Sequence, residues 1–233
     1  MLEPYYQQQG NKITITREQG SLFAKRMADD FNPLHDVDAK KFCVPGDLLF
    51  ALVLKHYGIS ESMEFSFVGM VDETTELTLP EGGDKFDIKA DDKVMLSVSR
   101  SGETSQCPTL IDSLTKNYVE FSGTAFPHVI IPLMGEQEVM INPARPMVIY
   151  ESMAIEMDDI RVSEVSLQAA KPEFSYDGKR GKINLKFDLI SNGKKVGYGE
   201  KHMLVSGIRA YCQQMVDDLI AYYNDRKVAL KPE

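Results

Sequence analysis

The chain has 233 residues, of which 43% are hydrophobic and 26% charged, a composition that sets it apart from disordered polypeptides and allows one elaborate domain or two small ones. Its formal net charge is −9, with Lys and Arg scattered rather than clustered, which argues against a nucleic-acid or anionic-membrane partner. Cys43, Cys107 and Cys212 are too far apart for a disulfide framework or paired metal ligation, and the four histidines lack metal spacing, so no metal is expected.

The opening "MLEPYYQQQGNK" carries no basic stretch followed by an apolar core, and no segment approaches the roughly 18 apolar residues of a membrane span. A cytoplasmic location is expected. Thr16 and Gln19 form a T-x-x-Q capping box, with Leu22, Phe23 and Met27 at helical spacing behind it, predicting a helix over 17–29. Asn32 precedes Pro33 and is pushed out of the helical region, so the helix should stop near Asp30. Pro45-Gly46-Asp47 then opens "LLFALVLKHYG", a helix with no solvent face until Lys55 and Gly58 as its cap.

Strand signals follow at 63–71, 76–80, 85–90, 93–100 and 117–126, with "SGETSQCPT" read as an exposed loop. A buried helix followed by such strands predicts an α+β arrangement, one antiparallel sheet curled around the helix. Pro127, Pro132, Pro143 and Pro146 mark a connector over 127–145, dividing an N-terminal unit, 1–126, from a C-terminal unit, 146–233. In the second unit, 146–160 reads as a helix, and 165–176, 182–190 and 194–207 as strands, with Ser191-Asn192-Gly193 a hairpin turn. Tyr211, Met215, Leu219 and Tyr222 predict a closing amphipathic helix over 210–226, with 227–233 a frayed tail.

The chemistry concentrates in "DDFNPLHD", residues 29–36. Asp30 and His35 lie five residues apart across a rigid Asn32-Pro33 turn, and a carboxylate and an imidazole converging on one water make an acid/base pair. Asn32 can hydrogen-bond backbone across the turn. At the first turn of a buried helix, Gly46 leaves its N–H open to a carbonyl oxygen, with the helix dipole favouring negative charge. Together these are the parts of an acyl-thioester site. Asp29 and Asp36 flank the pair and, if near in space, favour protonated His35.

D-F-N-P-L-H at 30–35 resembles the D-x-N-P-x-H signature of the MaoC-like, (R)-specific enoyl-CoA hydratases at every fixed position, and "VPGDLLFALV" resembles that family's entry into its long helix. The similarity covers residues 17–71 well and the rest in outline. The chain as a whole also resembles an uncharacterised gammaproteobacterial family. The hydratase resemblance implies a hot-dog fold, a long helix wrapped by a curved antiparallel sheet, here as a double hot-dog in one chain. It further implies that Asp30 activates a water, His35 manages the proton, Asn32 holds the loop and the Gly46 N–H polarises the carbonyl. The substrate would be an enoyl or 3-hydroxyacyl group carried on coenzyme A or an acyl-carrier protein, with no further cofactor and with a homodimer left open.

Two features depart from the family pattern. Only ten residues separate His35 from Gly46, so the substrate-covering loop is shortened. Asp47 stands where an apolar residue usually begins the helix, and its carboxylate either faces water as a cap or competes with substrate for the helix donors. Lys40 and Lys41 are the cations nearest the motif. A non-catalytic module binding acyl thioesters or lipids is the alternative, and a plain interaction scaffold the third.

Overall fold

A computed structural model of the chain describes residues 1–144 and 147–231. The predicted capping box is present. Thr16 Oγ1 accepts from the Gln19 N–H at 3.2 Å, the Gln19 side chain accepts from the Thr16 N–H at 3.1 Å, and α1 runs Arg17–Arg26 behind them. The chain leaves α1 through Asp29, whose φ is +51°, and enters the D-x-N-P-x-H loop. α2, Gly46–Tyr57, is buried throughout Leu48–Leu54 and ends on Gly58, whose φ of +78° suits a residue without a side chain.

β1 (Gln7–Gln9) and β2 (Lys12–Thr14) precede α1; β3 (Ile59–Phe67), β4 (Leu77–Thr78), β5 (Lys85–Ala90) and β6 (Lys93–Ser105) follow α2. β6 runs through most of the stretch read as a loop, because Ile59 and Ser60 at the start of β3 pair with Ser105 and Thr104. The strand expected over 117–126 is instead mostly the end of a helix, α3, Pro108–Gly123. Its buried residues, Leu110, Ile111, Leu114, Thr115, Tyr118 and Val119, fall on one helical face, and Pro108 occupies the first turn, where its missing N–H is harmless. A π-turn over Phe126–Ile130, short helix α4 (Ile131–Gly135) and β7 (Val139–Met140) occupy much of the expected connector.

The helix expected over 146–160 is a strand, β8, Met147–Met157. Met153, Ile155 and Met157 are buried at period two, and β8 is hydrogen-bonded on both sides, to β3 and to β12 (Lys194–Ser206). Pro146 lies outside the described residues. β9 (Ser166–Ala169) and β10 (Glu173–Asp177) pair with successive stretches of β11 (Arg180–Ser191), and β11 turns into β12 through Asn192 and Gly193, with φ of +49° and +74°. β13 (Arg209–Ala210) pairs with β7. α5, Gln213–Leu230, runs past the predicted end at 226, and it buries Val216, Leu219 and Tyr223 while Tyr222 is exposed. Of the expected tail, Pro232 and Glu233 lie outside the described residues.

The fold is mixed α+β with one large antiparallel sheet, in the order β1-β2-β4-β5-β6-β3-β8-β12-β11-β10, and β9 also on β11. α2 and α3 lie against it. Phe50 of α2 meets Phe65 of β3 at 5.1 Å between ring centroids and Tyr118 of α3 at 4.6 Å, while Tyr118 and Phe121 reach Phe187 of β11 at 5.7 and 5.4 Å. The main core therefore runs without a break from α2 to β11. A second cluster joins α4, β7, β11, β12 and α5. Among the described residues no helix is long and apolar enough to cross a membrane.

Candidate functional site

The loop after α1 brings the predicted pair together. The Asp30 N–H bonds back to Ala24 O at 2.8 Å, Asp30 Oδ1 accepts from the Asn32 N–H at 2.8 Å, and Asn32 Oδ1 accepts from the Leu34 N–H at 3.1 Å. These local bonds fold Pro33–His35 into one 3-10 turn that returns His35 toward Asp30. His35 Nε2 stands 3.6 Å from Asp30 Oδ2, and both side chains keep a path to solvent, at 12% and 19% exposure. On its other side, His35 Nδ1 lies 2.6 Å from Cys43 O. A carbonyl only accepts, so Nδ1 carries a proton, and in the neutral ring the lone pair of Nε2 faces Asp30. Burial pushes the Cys43 thiol up to about 11, so that side chain stays protonated and unreactive.

Asp29 and Asp36 do not act on His35 as free charges. Asp36 pairs with Lys25 of α1 at 2.7 Å and with Arg226 of α5, and Asp29 pairs with Lys227 of α5. Burial holds the Lys25 ammonium down at about 8, against the ordinary 10.5, although the Asp30 and Asp38 charges oppose that shift. Lys40 and Lys41 are exposed on the loop beyond the turn.

Gly46 begins α2 as predicted, after a Pro45 that supplies no side-chain cap. Its open side faces rings rather than a cleft: an added Cβ would lie 2.8 Å from Tyr150 Cδ1 and 3.3 Å from Phe67. Asp47 does not face water. Its carboxylate is 9% exposed and sits 3.4 Å from the Nζ of Lys201, itself 7% exposed. Ser122 Oγ donates to Asp47 Oδ2 at 2.6 Å and accepts from Lys201, which can only donate. Beside this carboxylate the Tyr118 and Tyr150 hydroxyls hydrogen-bond to each other. The Lys201 ammonium lies 3.8 Å above the Tyr150 ring. Burial first and the neighbouring charge of Asp47 hold the Tyr118 and Tyr150 hydroxyls well above the ordinary tyrosine value.

Two shallow depressions, of about 300 and 200 Å³, lie along the strands, the first around Glu173, Asn184 and His202, the second around Glu64, Asp87 and Ser99. Neither is lined by Asp30, His35 or Gly46. Among the described residues no group of three or more His, Cys, Asp or Glu side chains could hold a metal ion.

Residues 1–214 match the model of a family described as protein of unknown function, DUF3581. The chain belongs to the DUF3581 family. The matched segment contains the whole Asp30/His35 loop and the Asp47 network, and ends at the second residue of α5. No curated protein matches the chain. Among solved structures it is similar to acyl-CoA thioesterase II TesB2 from Mycobacterium marinum, with a TM-score of 0.41, 10% identity and coverage of 91% of this chain and 98% of that one. It is also similar to a tesB protein of Mycobacterium avium subspecies paratuberculosis, with a TM-score of 0.38, 11% identity and coverage of 70% and 87%. Both TM-scores are low, and neither likeness assigns a fold or an activity to this DUF3581 member.

Sequence reasoning misses the partners that complete both clusters. Lys25 looks like an ordinary helix-end cation, and Tyr223 lies outside the Tyr211, Met215, Leu219 and Tyr222 spacing that predicts α5. Ser122, Tyr150 and Lys201 stand 75, 103 and 154 positions after Asp47, beyond any local pattern. A faint signal exists in β12, where Lys201 occupies a period-two inward position between buried Gly199 and Met203.

Proposed function

We propose that this DUF3581 protein is a MaoC-like hydratase or dehydratase of acyl thioesters, with Asp30 and His35 as its acid/base pair. The observation that carries the reading is the 3.6 Å separation of Asp30 Oδ2 from His35 Nε2, with Nδ1 engaged by Cys43 O. With Nδ1 protonated and the ring neutral, both facing atoms accept, so a water donating one proton to each is held with its lone pairs free. Such a water adds its oxygen to the β-carbon of an enoyl thioester as Asp30 holds one of its protons and His35 takes the other. His35 then delivers that proton to the α-carbon of the enolate, which completes the addition of water and leaves the ring neutral again. In the reverse direction neutral His35 removes the α-proton and returns it to the departing β-hydroxyl, which leaves as water. Each exchange is general acid/base catalysis and is worth about 10²–10⁴ in rate.

The sheet order supports a double hot-dog. β2-β4-β5-β6-β3 around α2 has a counterpart in β10/β9-β11-β12-β8 around α3, and the two halves join through β3 and β8. On this reading the division falls between β6 and α3 rather than at residue 126, because α3 packs on the second half, with Asn117 Nδ2 donating to Val165 O at 3.2 Å. One half carries the pair. The other supplies Tyr150 and Lys201 to the entrance of α2.

The tightness of that entrance favours the second reading, a module that binds acyl thioesters without turning them over, since Tyr150 and Phe67 stand where a carbonyl would approach Gly46. A spectrophotometric assay with crotonyl-CoA and longer enoyl-CoAs separates the two. The hydratase reading expects turnover that falls by about 10²–10⁴ in Asp30→Asn and His35→Ala, without release of free thiol. Ligand-induced stabilisation with no turnover at any chain length supports the binding module instead.

A further inference from the structure

Asp30 and His35 do not hydrogen-bond to each other, so their separation depends on what holds the loop between them. Three side chains of α5 do so. The Tyr223 hydroxyl donates to Asp29 O at 3.3 Å and accepts from the Phe31 N–H at 3.4 Å. Lys227 pairs with Asp29 and Arg226 with Asp36, the residues immediately before and after the hexapeptide. From the opposite side, Lys25 of α1 binds Asp36 and donates to His35 O at 3.3 Å. Phe31, fully buried, is the pin between them: the Lys25 and Lys227 ammonium groups lie 6.0 and 5.8 Å from its ring, and the Tyr223 ring meets it edge-on at 6.2 Å.

The backbone needs this grip. Asp29 adopts a left-handed conformation that a residue with a side chain holds only when its surroundings over-determine it, and α5 engages both its carbonyl and its carboxylate. Between Asp30 and His35 the chain makes one 3-10 turn and no sheet pairing, the kind of segment that opens locally at low cost. All of these α5 contacts come from residues beyond the family match, which stops at 214.

We propose that α5 is a strap that sets the distance between Asp30 and His35, with Tyr223, Arg226 and Lys227 as positioning residues; the catalytic part of this proposal rests on the acid/base reading above. Displacement of a reacting group by about 1 Å can cost about 10² in rate, so loosening the strap should lower kcat and leave substrate affinity largely intact.

The test compares full-length wild type with Tyr223→Phe and with Arg226→Gln/Lys227→Gln. It reads amide exchange at Phe31 and His35, the His35 tautomer in long-range proton–nitrogen spectra, the thermal midpoint, and steady-state turnover of crotonyl-CoA. Exchange about tenfold faster at Phe31, loss of a single Nδ1-protonated tautomer, and a kcat lowered about 10–100-fold at little-changed KM support the strap. Lys227→Arg, which keeps the charge, should retain wild-type exchange and tautomer. Unchanged exchange and tautomer in both variants overturn the proposal, and so does faster exchange with undiminished kcat. If wild type turns over no thioester, the acid/base reading fails, and the exchange and tautomer measurements still decide whether α5 holds the loop.

Discussion

Asp30 and Asp47 stand seventeen positions apart in sequence, one in the loop after α1 and the other in the first turn of α2, and their surroundings differ in kind. Asp30 has a histidine at 3.6 Å, among the described residues no Lys or Arg paired to its carboxylate, and a path to solvent. Asp47 has a lysine and a serine directed at its oxygens and almost no exposure. A buried carboxylate that is hydrogen-bonded and charge-balanced holds structure together, whereas one beside an imidazole and open to solvent has the surroundings that proton exchange requires. The same residue type is thus locked into a buried network at one site and left beside an imidazole with a path to solvent at the other, and the difference lies in partners contributed by distant strands and helices.

The contrast breaks most visibly if the buried network is cut. Lys201→Met leaves the Asp47 charge buried without its cation, and a loss of about 3–5 kcal/mol in stability is expected, seen as a fall of about 10 °C in thermal midpoint. If Asp47 were instead a solvated cap, calorimetry would find almost no change. Next comes Gly46→Ala, whose new methyl would press on the Tyr150 ring at 2.8 Å and should destabilise by about 1–3 kcal/mol in chemical denaturation. Full tolerance of the alanine would mean that Tyr150 moves freely and that the entrance to α2 opens.

A pH series sharpens the other side. The folded-state proton affinity of Lys25 is depressed to about 8 from 10.5, so between those values the unfolded chain binds more protons and this residue makes stability rise with pH. The gain is complete above 10.5 and is lost as pH falls through about 8. Denaturation of wild type and Lys25→Met from pH 8 to 10.5 should show a difference in slope of that sign; parallel curves would place the ammonium in an ordinary aqueous setting. The smallest effect belongs to the half-exposed Lys227–Asp29 pair: Lys227→Gln should cost under about 1 kcal/mol and less in high salt.

Local signals reached far in the first third of this chain. Thr16 and Gln19 marked the start of α1, Gly58 the end of α2, and Asn32-Pro33 the turn that joins Asp30 to His35. They failed where tertiary pairing outweighs propensity. Residues 117–126 look strand-like because Tyr118, Val119 and Phe121 are aromatic or β-branched, yet their spacing with Leu110, Ile111 and Leu114 is helical. Residues 147–157 carry Met, Ala and Glu, good helix formers, yet β3 and β12 satisfy both of their edges and fix them as a strand. At the site, the motif marked the two residues that come together and nothing marked their supports, because Tyr223, Arg226 and Lys227 meet the loop from nearly two hundred residues away.

The pairing of β3 with β8 has a consequence for how the chain acquires this structure. Ser62 lies opposite Glu156 and donates to its carboxylate at 2.7 Å, so the central seam of the sheet closes only after everything from β4 to α4 has been synthesised and set aside. Contacts of such long range are entropically expensive to form early, and folding of this molecule should be limited by the closing of that seam. Asp47, Ser122, Tyr150 and Lys201 come into register at the same step, so the buried charges meet their partners only when the seam is correctly aligned.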